Sequence, residues 1–413
     1  MAISATTFGA SIAARIDTLA KFTDEPGGLT RLYLSPAHRK AADQIMAWMR
    51  DAGMSVRLDA VGTVIGRYEA NQPSAAALLL GSHIDTVRNA GRYDGNLGVL
   101  VAIAIVERLH AAGRRLPFAI EVVAFGDEEG VRFPSTLGGS RAIAGLFDPK
   151  LLDEVDQAGI TRRQALLDFG CDPKAITAAA RKPRDCLGYV EVHIEQGPVL
   201  EAEALPVAVV TAINGASRGA VTVTGVAGHA GTVPMALRRD ALAAAAEMVL
   251  AVEATGTRGA ELVATVGRME VANGATNTVA GSVTFTLDVR SSSDMIRQAA
   301  VHGIEKAILK IAKARGVTAK VAMTYDAPAA LSDPRLSKRL AIAIAAMGYK
   351  ARRMPSGAGH DAMAFSGKIP FSMLFVRCRG GISHNPAEHA SPDDIDVAAR
   401  VLLEFVETFE SKP

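Results

Sequence analysis

Four segments of the chain repeat one pattern, an apolar run of strand length followed by a short loop rich in glycine, histidine and acidic residues. The segments are residues 75–85, 118–130, 189–198 and 371–386. Runs that are apolar on both faces are typical of central strands in a parallel sheet covered by helices. The carboxyl ends of such strands meet at one edge of the sheet, where ligands bind. The sequence therefore predicts an α/β fold with a site built from these four loops.

The segments that link these runs carry helical patterns. Residues 97–113 are mostly apolar, and their longest apolar stretch is about half of a membrane span, so the pattern predicts a buried helix. Near the N-terminus, four apolar residues recur at helical spacing and predict an amphipathic helix. They are Ile12, Ile16, Leu19 and Phe22. Strands that alternate with helices in this way indicate a mostly parallel sheet.

The pattern changes between about residues 213 and 327, where two helical segments stand among alternating strands. The order is β-α-β-β-α-β, with the second and third strands expected at 261–271 and 277–291. This order is typical of a ferredoxin-like, two-layer unit that can fold as an inserted domain. We therefore expect a domain split between 1–212 and 328–413, and a second domain at 213–327.

The composition indicates a chain with ample material for a buried core, and it argues against several function classes. Hydrophobic residues make up 49% and charged residues 21% of the 413 residues, and the formal net charge is +2. A nearly neutral chain shows no electrostatic footprint for nucleic acid or a membrane surface. The three cysteines lack C-x-x-C spacing, which argues against a disulfide framework and a thiolate metal site. Because the N-terminus also lacks a signal-peptide pattern, we expect a cytoplasmic protein.

The strand-end loops carry the side chains of a metal site. Imidazole nitrogen with carboxylate oxygen, and without thiolate, is the ligand set of hydrolytic Zn²⁺, Mn²⁺ or Co²⁺. More than four candidate ligands indicate two ions rather than one. Taken singly, a histidine at a strand end is more often structural, and Asp-Gly is usually a turn; their joint placement favours a site. The candidates are His83, Asp85, Asp94, Glu128, Glu129, His193 and His384.

One further motif points to a different chemistry. Residues 215–219 read GASRG and fit the G-x-S-x-G nucleophile elbow of serine hydrolases. That elbow requires a helix after the serine, whereas an alternating strand pattern follows Ser217. We therefore expect Ser217 to be an ordinary strand residue.

Six motifs occur in order across nearly the whole chain: GSHIDTV…YDG, DEEG, HIEQGP, GHAGTVPM, GAGHDAM and ISHNPAEH. This set resembles the two-metal amidohydrolases related to aminoacylases and carboxypeptidase G, and specifically their ureido-hydrolysing branch. That branch contains allantoate amidohydrolases, N-carbamoyl-L-amino-acid hydrolases and ureidoglycolate amidohydrolases. The resemblance implies two divalent ions per subunit, Zn²⁺, Mn²⁺ or Co²⁺, in a catalytic domain with an inserted lid and dimerisation domain.

The resemblance also implies a role for each residue of the strand-end loops. Asp94 would bridge the two ions, and Glu128 would be the general base. We expect Asp85, two residues after His83, to accept the second imidazole N–H and fix its tautomer; an Asx turn that closes the loop is the alternative. The implied metal ligands are His83, Asp94, Glu129, His193 and His384.

For the substrate, the resemblance implies a small ureido carboxylate bound partly by the inserted domain. Arg290 would hold the carboxylate with its planar fork. His229 would reach the active site of a neighbouring subunit and stabilise the developing oxyanion, which makes a homodimer part of the mechanism. The implied substrate contacts are Gln196, His229, Asn277, Arg290 and Gly359, with His360 and Asp361 expected only to support their loop.

Several functions remain open at this point. The GHAGTVPM and ISHNPAEH regions look most like allantoate amidohydrolases, so allantoate is the first candidate substrate. N-carbamoyl-L-amino acids come second and ureidoglycolate is a further alternative, because each presents a ureido group beside a carboxylate. A metal-binding scaffold without catalysis and a serine hydrolase are the alternatives from other classes.

Overall fold

We describe the protein from a computed structural model, which covers residues 7–259 and 261–410. The described chain separates into two compact units. The first contains the residues up to Thr211 and from Ser332 onward, and the second contains Ala212–Leu331. The sequence places these boundaries at 213 and 327, and the assignment of the units as a catalytic and a lid domain stays a prediction.

Helices and strands alternate through most of the described chain. The helices are α1 (Phe8–Leu19), α2 (Pro36–Asp51), α3 (Asn96–Ala111), α4 (Gly138–Ile143), α5 (Arg162–Asp168), α6 (Val199–Ala202), α7 (Ala241–Gly256), α8 (Asp294–Ala314), α9 (Pro334–Ala346) and α10 (Pro392–Glu407). The strands are β1 (Ser55–Leu58), β2 (Val64–Tyr68), β3 (Ala77–His83), β4 (Ala119–Phe125), β5 (Cys186–Ile194), β6 (Val207–Ile213), β7 (Gly215–Thr224), β8 (Gly228–His229), β9 (Leu262–Thr265), β10 (Met269–Val271), β11 (Thr278–Val279), β12 (Ser282–Ser291), β13 (Thr318–Ala327), β14 (Ala330–Leu331), β15 (Arg352–Ser356) and β16 (Phe371–Val376).

The first unit is built on a mixed sheet whose centre is parallel. Its strand order is β1-β2-β4-β3-β5-β16-β6, with β15 also beside β6. The four central strands, β4, β3, β5 and β16, run parallel, and β2 and β6 flank them antiparallel. The four central strands arise from the four apolar runs, which confirms the predicted α/β class. In the register His83 aligns with Phe125 and His193 with Phe375, so the four strands end at one edge.

The core of the first unit follows from the apolar patterns. Helix α3 is buried on nearly every side, because its sequence is apolar all round. Helix α1 buries Ile12, Ile16 and Leu19, each at most 1% exposed, and Phe22 packs half-buried against the same core. Burying each of these side chains stabilises the fold by about 1.5–3 kcal/mol. Helix α3 agrees with the sequence prediction, and α1 agrees for Ile12, Ile16 and Leu19 but ends before Phe22.

The second unit has the strand order of a ferredoxin-like fold. Its sheet runs β10-β12-β7-β13, with β9 also paired to β12, and helices α7 and α8 contribute to its core. The predicted single strand at 261–271 is instead two short strands, β9 and β10. The predicted strand at 277–291 is also divided, and its first part, β11, pairs with β8 in a separate ribbon. Within residues 7–259 and 261–410, no helix is both long and apolar enough to cross a membrane.

Candidate metal centre and active site

Asp94 lies among three imidazoles at the edge where the parallel strands end. Its Oδ1 is 3.6 Å from His83 Nε2 and 3.0 Å from His193 Nε2, and its Oδ2 is 3.2 Å from His384 Nε2. His83 ends β3, His193 is the penultimate residue of β5, and His384 follows β16. All but His384 are almost fully buried. The parallel topology therefore brings together residues that are up to 300 positions apart in the chain.

The hydrogen bonds of the two buried histidines set their tautomers. His83 Nδ1 lies 3.0 Å from the carbonyl oxygen of Asp85, and His193 Nδ1 lies 2.9 Å from that of Ile194. A carbonyl oxygen only accepts, so each Nδ1 must carry the proton. In a neutral imidazole each Nε2 then presents a lone pair to Asp94, and the Nε2 of His193 has no hydrogen-bond partner. This donor set fits a cation between the imidazoles and the carboxylate.

The pKa shifts of the cluster also fit a metal site. Burial acts to raise the pKa of Asp94, but the imidazoles of His193, His384 and His83 hold it well below its usual range. The hydrogen bond to Asp94 raises the pKa of His384 to about 9. The low pKa of Asp94 therefore keeps this carboxylate ionised at the centre of the cluster.

Among the described residues, four groups of donor atoms could each hold a metal ion, and two of them share Asp94. One group is His83, Asp94 and His193; the other is Asp94, Glu129 and His384, and within each group the donor atoms lie within 4.8 Å of one another. Glu129 Oε1 is buried without a hydrogen-bond partner. Burial, with the charge of Asp94 next to it, raises the pKa of Glu129 to about 7. A carboxylate that is costly to ionise alone fits a position beside a cation.

Asp85 holds the loop that carries the two adjacent glutamates. Its Oδ1 accepts the backbone N–H of Glu128 and its Oδ2 accepts that of Glu129, each at 3.2 Å. Asp85 is also the predicted partner of the His83 ring, and the atom that lies 3.0 Å from Nδ1 is its backbone carbonyl oxygen, whereas its Oδ1 lies 3.6 Å from Nδ1. The Glu128 carboxylate forms a third possible donor group with His83 and Glu129. Burial raises the pKa of Glu128 well above its usual range.

Sequence reasoning missed several residues that support the centre. Glu388 Oε1 accepts the backbone N–H of Tyr93 at 2.8 Å and of Asp94 at 3.1 Å, and its Oε2 lies 2.9 Å from Ser383 Oγ. Glu191 is fully buried, and it accepts from Ser82 Oγ at 2.7 Å. The signal for Glu191 was its spacing, since it stands two residues before His193 on the same strand face.

The predicted substrate contacts of the first unit lie at or near this centre. Gln196 Nε2 donates to Asp94 Oδ2 at 3.0 Å. The ring of His360 lies 4.4 Å from that of His193, and its Nε2 is 2.7 Å from Ser356 Oγ, as expected of a loop support. Gly359 is exposed, and a Cβ there would come no closer than 3.6 Å to Met363. Packing therefore does not explain a glycine at position 359.

The predicted contacts of the second unit fall in two places. His229 pairs with Thr278 across the β8–β11 ribbon, and Asn277 accepts the backbone N–H of Ala230 at 2.8 Å, so His229 and Asn277 are neighbours. His229 Nδ1 accepts from Gly231 N at 3.1 Å, which leaves the proton on Nε2.

Arg290 lies on β12 and is half-buried. It donates from Nε and Nη2 to the two oxygens of Asp288, each at 2.8 Å. Arg218 Nε donates to the same carboxylate at 3.1 Å. The Nε–Nη2 edge of Arg290 is thus occupied by Asp288 in this structure, and its role toward a substrate carboxylate stays a prediction.

The chain matches a known protein family over most of its length. A family model described as peptidase family M20/M25/M40 matches residues 79–408, from β3 through the last helix. The chain belongs to this peptidase family. The matched region of the M20/M25/M40 family contains each of the four strand-end loops and the whole second unit, and it confirms the predicted family resemblance.

Two curated relatives of the chain are named for allantoate and for N-carbamoyl-L-amino acids. The chain is 41% identical over 426 residues to an allantoate deiminase of Arabidopsis thaliana, covering 96% of this chain and 81% of that protein. It is 39% identical over 393 residues to an N-carbamoyl-L-amino acid amidohydrolase of Geobacillus stearothermophilus, covering 95% and 96%. A solved amidase of the hydantoinase/carbamoylase family from Burkholderia multivorans matches with a TM-score of 0.93 and 33% identity, covering 99% and 100%.

Proposed function

We propose that the protein is a metal-dependent amidohydrolase that cleaves a ureido C–N bond in a small carboxylate substrate. Allantoate is the first candidate, and its products would be ureidoglycine, ammonia and carbon dioxide. The observation that carries this proposal is the position of Asp94, whose two oxygens belong to two separate groups of metal-binding donors. The names of relatives at 41% and 39% identity support the ureido class.

The proposed site holds two divalent ions. His83 and His193 would hold one ion, Glu129 and His384 the other, and Asp94 would bridge them. When bound, the ions would supply a Lewis-acid centre that polarises a water molecule and the ureido carbonyl. Glu388 and Gln196, which bond to the backbone and side chain of Asp94, would keep the bridging carboxylate in place.

Glu128 is the proposed general base. Its backbone is fixed by Asp85, and its carboxylate lies within the donor group of His83 and Glu129. It would take a proton from the attacking water and deliver it to the leaving nitrogen. The carbamate that leaves would then decompose to ammonia and carbon dioxide.

The proposed substrate contacts come from both units. Arg290 would hold the substrate carboxylate, Asn277, Gln196 and Gly359 would make further substrate contacts, and His229 would donate a hydrogen bond from Nε2 to the developing oxyanion. We propose a homodimer through the second unit, in which His229 acts in the partner's site. Met235, Leu237, Leu250 and Met295 are large apolar side chains that are exposed on that unit. Three free, buried cysteines fit a reducing, cytoplasmic setting.

Specific residues bear on each alternative function. N-carbamoyl-L-amino acids and ureidoglycolate share the ureido and carboxylate groups, and they are alternative substrates of the same site. An inactive scaffold is disfavoured because each proposed ligand and Glu128 are present. A serine hydrolase is disfavoured because Ser217 lies within β7 and donates its hydroxyl to Asp326 at 2.7 Å.

A substrate panel tests the proposal. Purified protein loaded with Mn²⁺, Co²⁺ or Zn²⁺ is assayed for ammonia release from allantoate, ureidoglycolate and several N-carbamoyl-L-amino acids. We expect kcat/KM to be highest for allantoate and to be negligible for N-acetyl amino acids, whose cleavage is followed by release of the free amino acid because it yields no ammonia. If kcat/KM is higher for an N-carbamoyl-L-amino acid than for allantoate, that acid would replace allantoate as the proposed substrate. If no ureido acid yields ammonia, the proposed reaction class would be wrong.

A further inference from the structure

Asp127 stands directly before Glu128 and has a strained backbone. Its φ is +71°, in the left-handed region that residues other than glycine rarely adopt. Such a conformation persists only where the surrounding structure holds it. The side chain of Asp127 is fully buried and forms an ion pair with Arg162. The restraint on the backbone before Glu128 therefore reaches a residue outside the four strand-end loops.

Arg162, at the start of α5, joins the two ends of the loop formed by residues 127–137. Its Nη1 donates to Asp127 Oδ2, and its Nη2 donates to Ser135 Oγ at 2.8 Å and to Glu154 Oε2 at 2.9 Å. The side chain of Arg162 is completely buried. The guanidinium reaches these acceptors from two different nitrogens in one plane, whereas the three donors of an ammonium share a single nitrogen.

The same loop closes tightly on Asp127. The Leu137 N–H donates to the carbonyl oxygen of Asp127 at 2.6 Å. A Cβ added at Gly138 would lie 2.8 Å from Asp127 Oδ2 and 3.1 Å from Arg162 Nη1. The ion pair is thus packed against the backbone at position 138, and a glycine is needed for this close approach.

We propose that Arg162 is a positioning residue for the proposed reaction. By binding Asp127 and Ser135 together, it fixes the backbone conformation that sets Glu128 in the site. This inference rests on the proposed role of Glu128 as general base. A displacement of about 1 Å at a reacting group can lower a rate roughly 10²-fold, so a remote anchor can have a large effect on kcat.

A double-mutant cycle tests the proposal. Arg162→Lys keeps the charge and loses the fork, so kcat should fall roughly 10–100-fold with KM within about twofold of wild type. In protein that already carries Glu128→Gln, the same change should lower kcat by less than about twofold, because residues that act as a unit are not additive. Arg163→Lys is the matched control, since Arg163 is half exposed and binds Asp153.

Two further measurements keep the test independent of folding and of metal loading. Hydrogen–deuterium exchange of metal-free protein should be faster over residues 126–137 in Arg162→Lys than in wild type or Arg163→Lys. If Arg162→Lys does not fold, Ser135→Ala removes one of the bonds and leaves the ion pair. We then expect a kcat loss of roughly 2–5-fold that disappears in the Glu128→Gln background.

The outcomes are distinguishable. An equal loss of kcat in both backgrounds, or unchanged exchange over residues 126–137, would mean that Arg162 only stabilises the fold and would overturn the inference while leaving Glu128 as base. If Glu128→Gln itself retained wild-type kcat, the proposed base would be wrong, and the inference would fall with it.

Discussion

Asp85 and Glu128 lie in neighbouring strand-end loops, and the backbone N–H of Glu128 donates to Asp85 Oδ1 at 3.2 Å. The other oxygen of the same carboxylate accepts from the N–H of Glu129. Because β3 and β4 are parallel neighbours, the two loops leave the sheet side by side. One buried carboxylate therefore fixes the backbone of both glutamates and leaves their side chains available for separate tasks.

Removing this carboxylate should weaken both the fold and the reaction. Asp85→Ala leaves two N–H groups without acceptors. If water does not reach them, each lowers the free energy of unfolding by roughly 1–3 kcal/mol. We expect the free energy of unfolding of the metal-free protein, measured in urea, to fall by about 2 kcal/mol or more, and kcat to fall with it. Asp153→Ala, at an exposed ion pair, is the control. Wild-type stability together with wild-type kcat in Asp85→Ala would contradict this role.

Removal of metal should abolish activity. The candidate ligands are imidazoles and carboxylates only, which bind Mn²⁺, Co²⁺ and Zn²⁺. We expect chelator-treated protein to be inactive and each of these ions to restore ammonia release, with metal content followed by elemental analysis. Full activity in protein confirmed to be free of metal would exclude the two-metal site.

Arg290 should be irreplaceable by lysine. Its two parallel hydrogen bonds to Asp288 show that the guanidinium is oriented as a fork. Arg290→Lys keeps the charge but loses this geometry, so kcat/KM for the carboxylate substrate should fall roughly 10–100-fold, the equivalent of a charged hydrogen bond. Arg218→Lys, which removes a single contact to Asp288, is the matched control. Equal effects of the two substitutions would indicate that Arg290 only supports the sheet.

His229 should act on the transition state of the partner's site. His229→Ala is expected to lower kcat more than it raises KM, because an oxyanion donor is engaged mainly in the transition state. Mixing inactive His229→Ala with inactive Glu128→Gln protein should restore activity, since each mixed dimer contains one site with both residues intact. Subunit exchange is checked with differently tagged chains. Exchange without recovered activity would mean that His229 does not act across the dimer.

Much of the fold could be predicted because the periodicity is strong. The four apolar runs gave the four central parallel strands, and the all-round apolar pattern at 97–113 gave the buried helix α3. The strand at 277–291 was harder, since it divides at Gly281, where an added Cβ would lie 3.1 Å from Ala227. Strand divisions of this kind depend on tertiary contacts and leave no local signal.

The candidate ligands could also be predicted from the sequence, because the carboxyl ends of neighbouring parallel strands lie at the same edge of the sheet. Asp85 was also a candidate, but the hydrogen bonds through which it and the other supporting residues act could not be predicted. Asp85 and Glu388 bind backbone N–H groups of other loops, and Arg162 reaches Asp127 from 35 residues away. Which acceptor a buried carboxylate or guanidinium finds is decided by packing between distant segments, and spacing along the chain does not encode it.

The central claim is that two adjacent glutamates have different roles: Glu129 binds metal, and Glu128 transfers the proton. The most direct test is to measure metal content and kcat side by side for Glu128→Gln and Glu129→Gln. We predict that Glu128→Gln retains near wild-type metal content while kcat falls by roughly 10²–10⁴-fold, and that Glu129→Gln loses metal occupancy. Loss of metal from Glu128→Gln, with full occupancy in Glu129→Gln, would contradict the account.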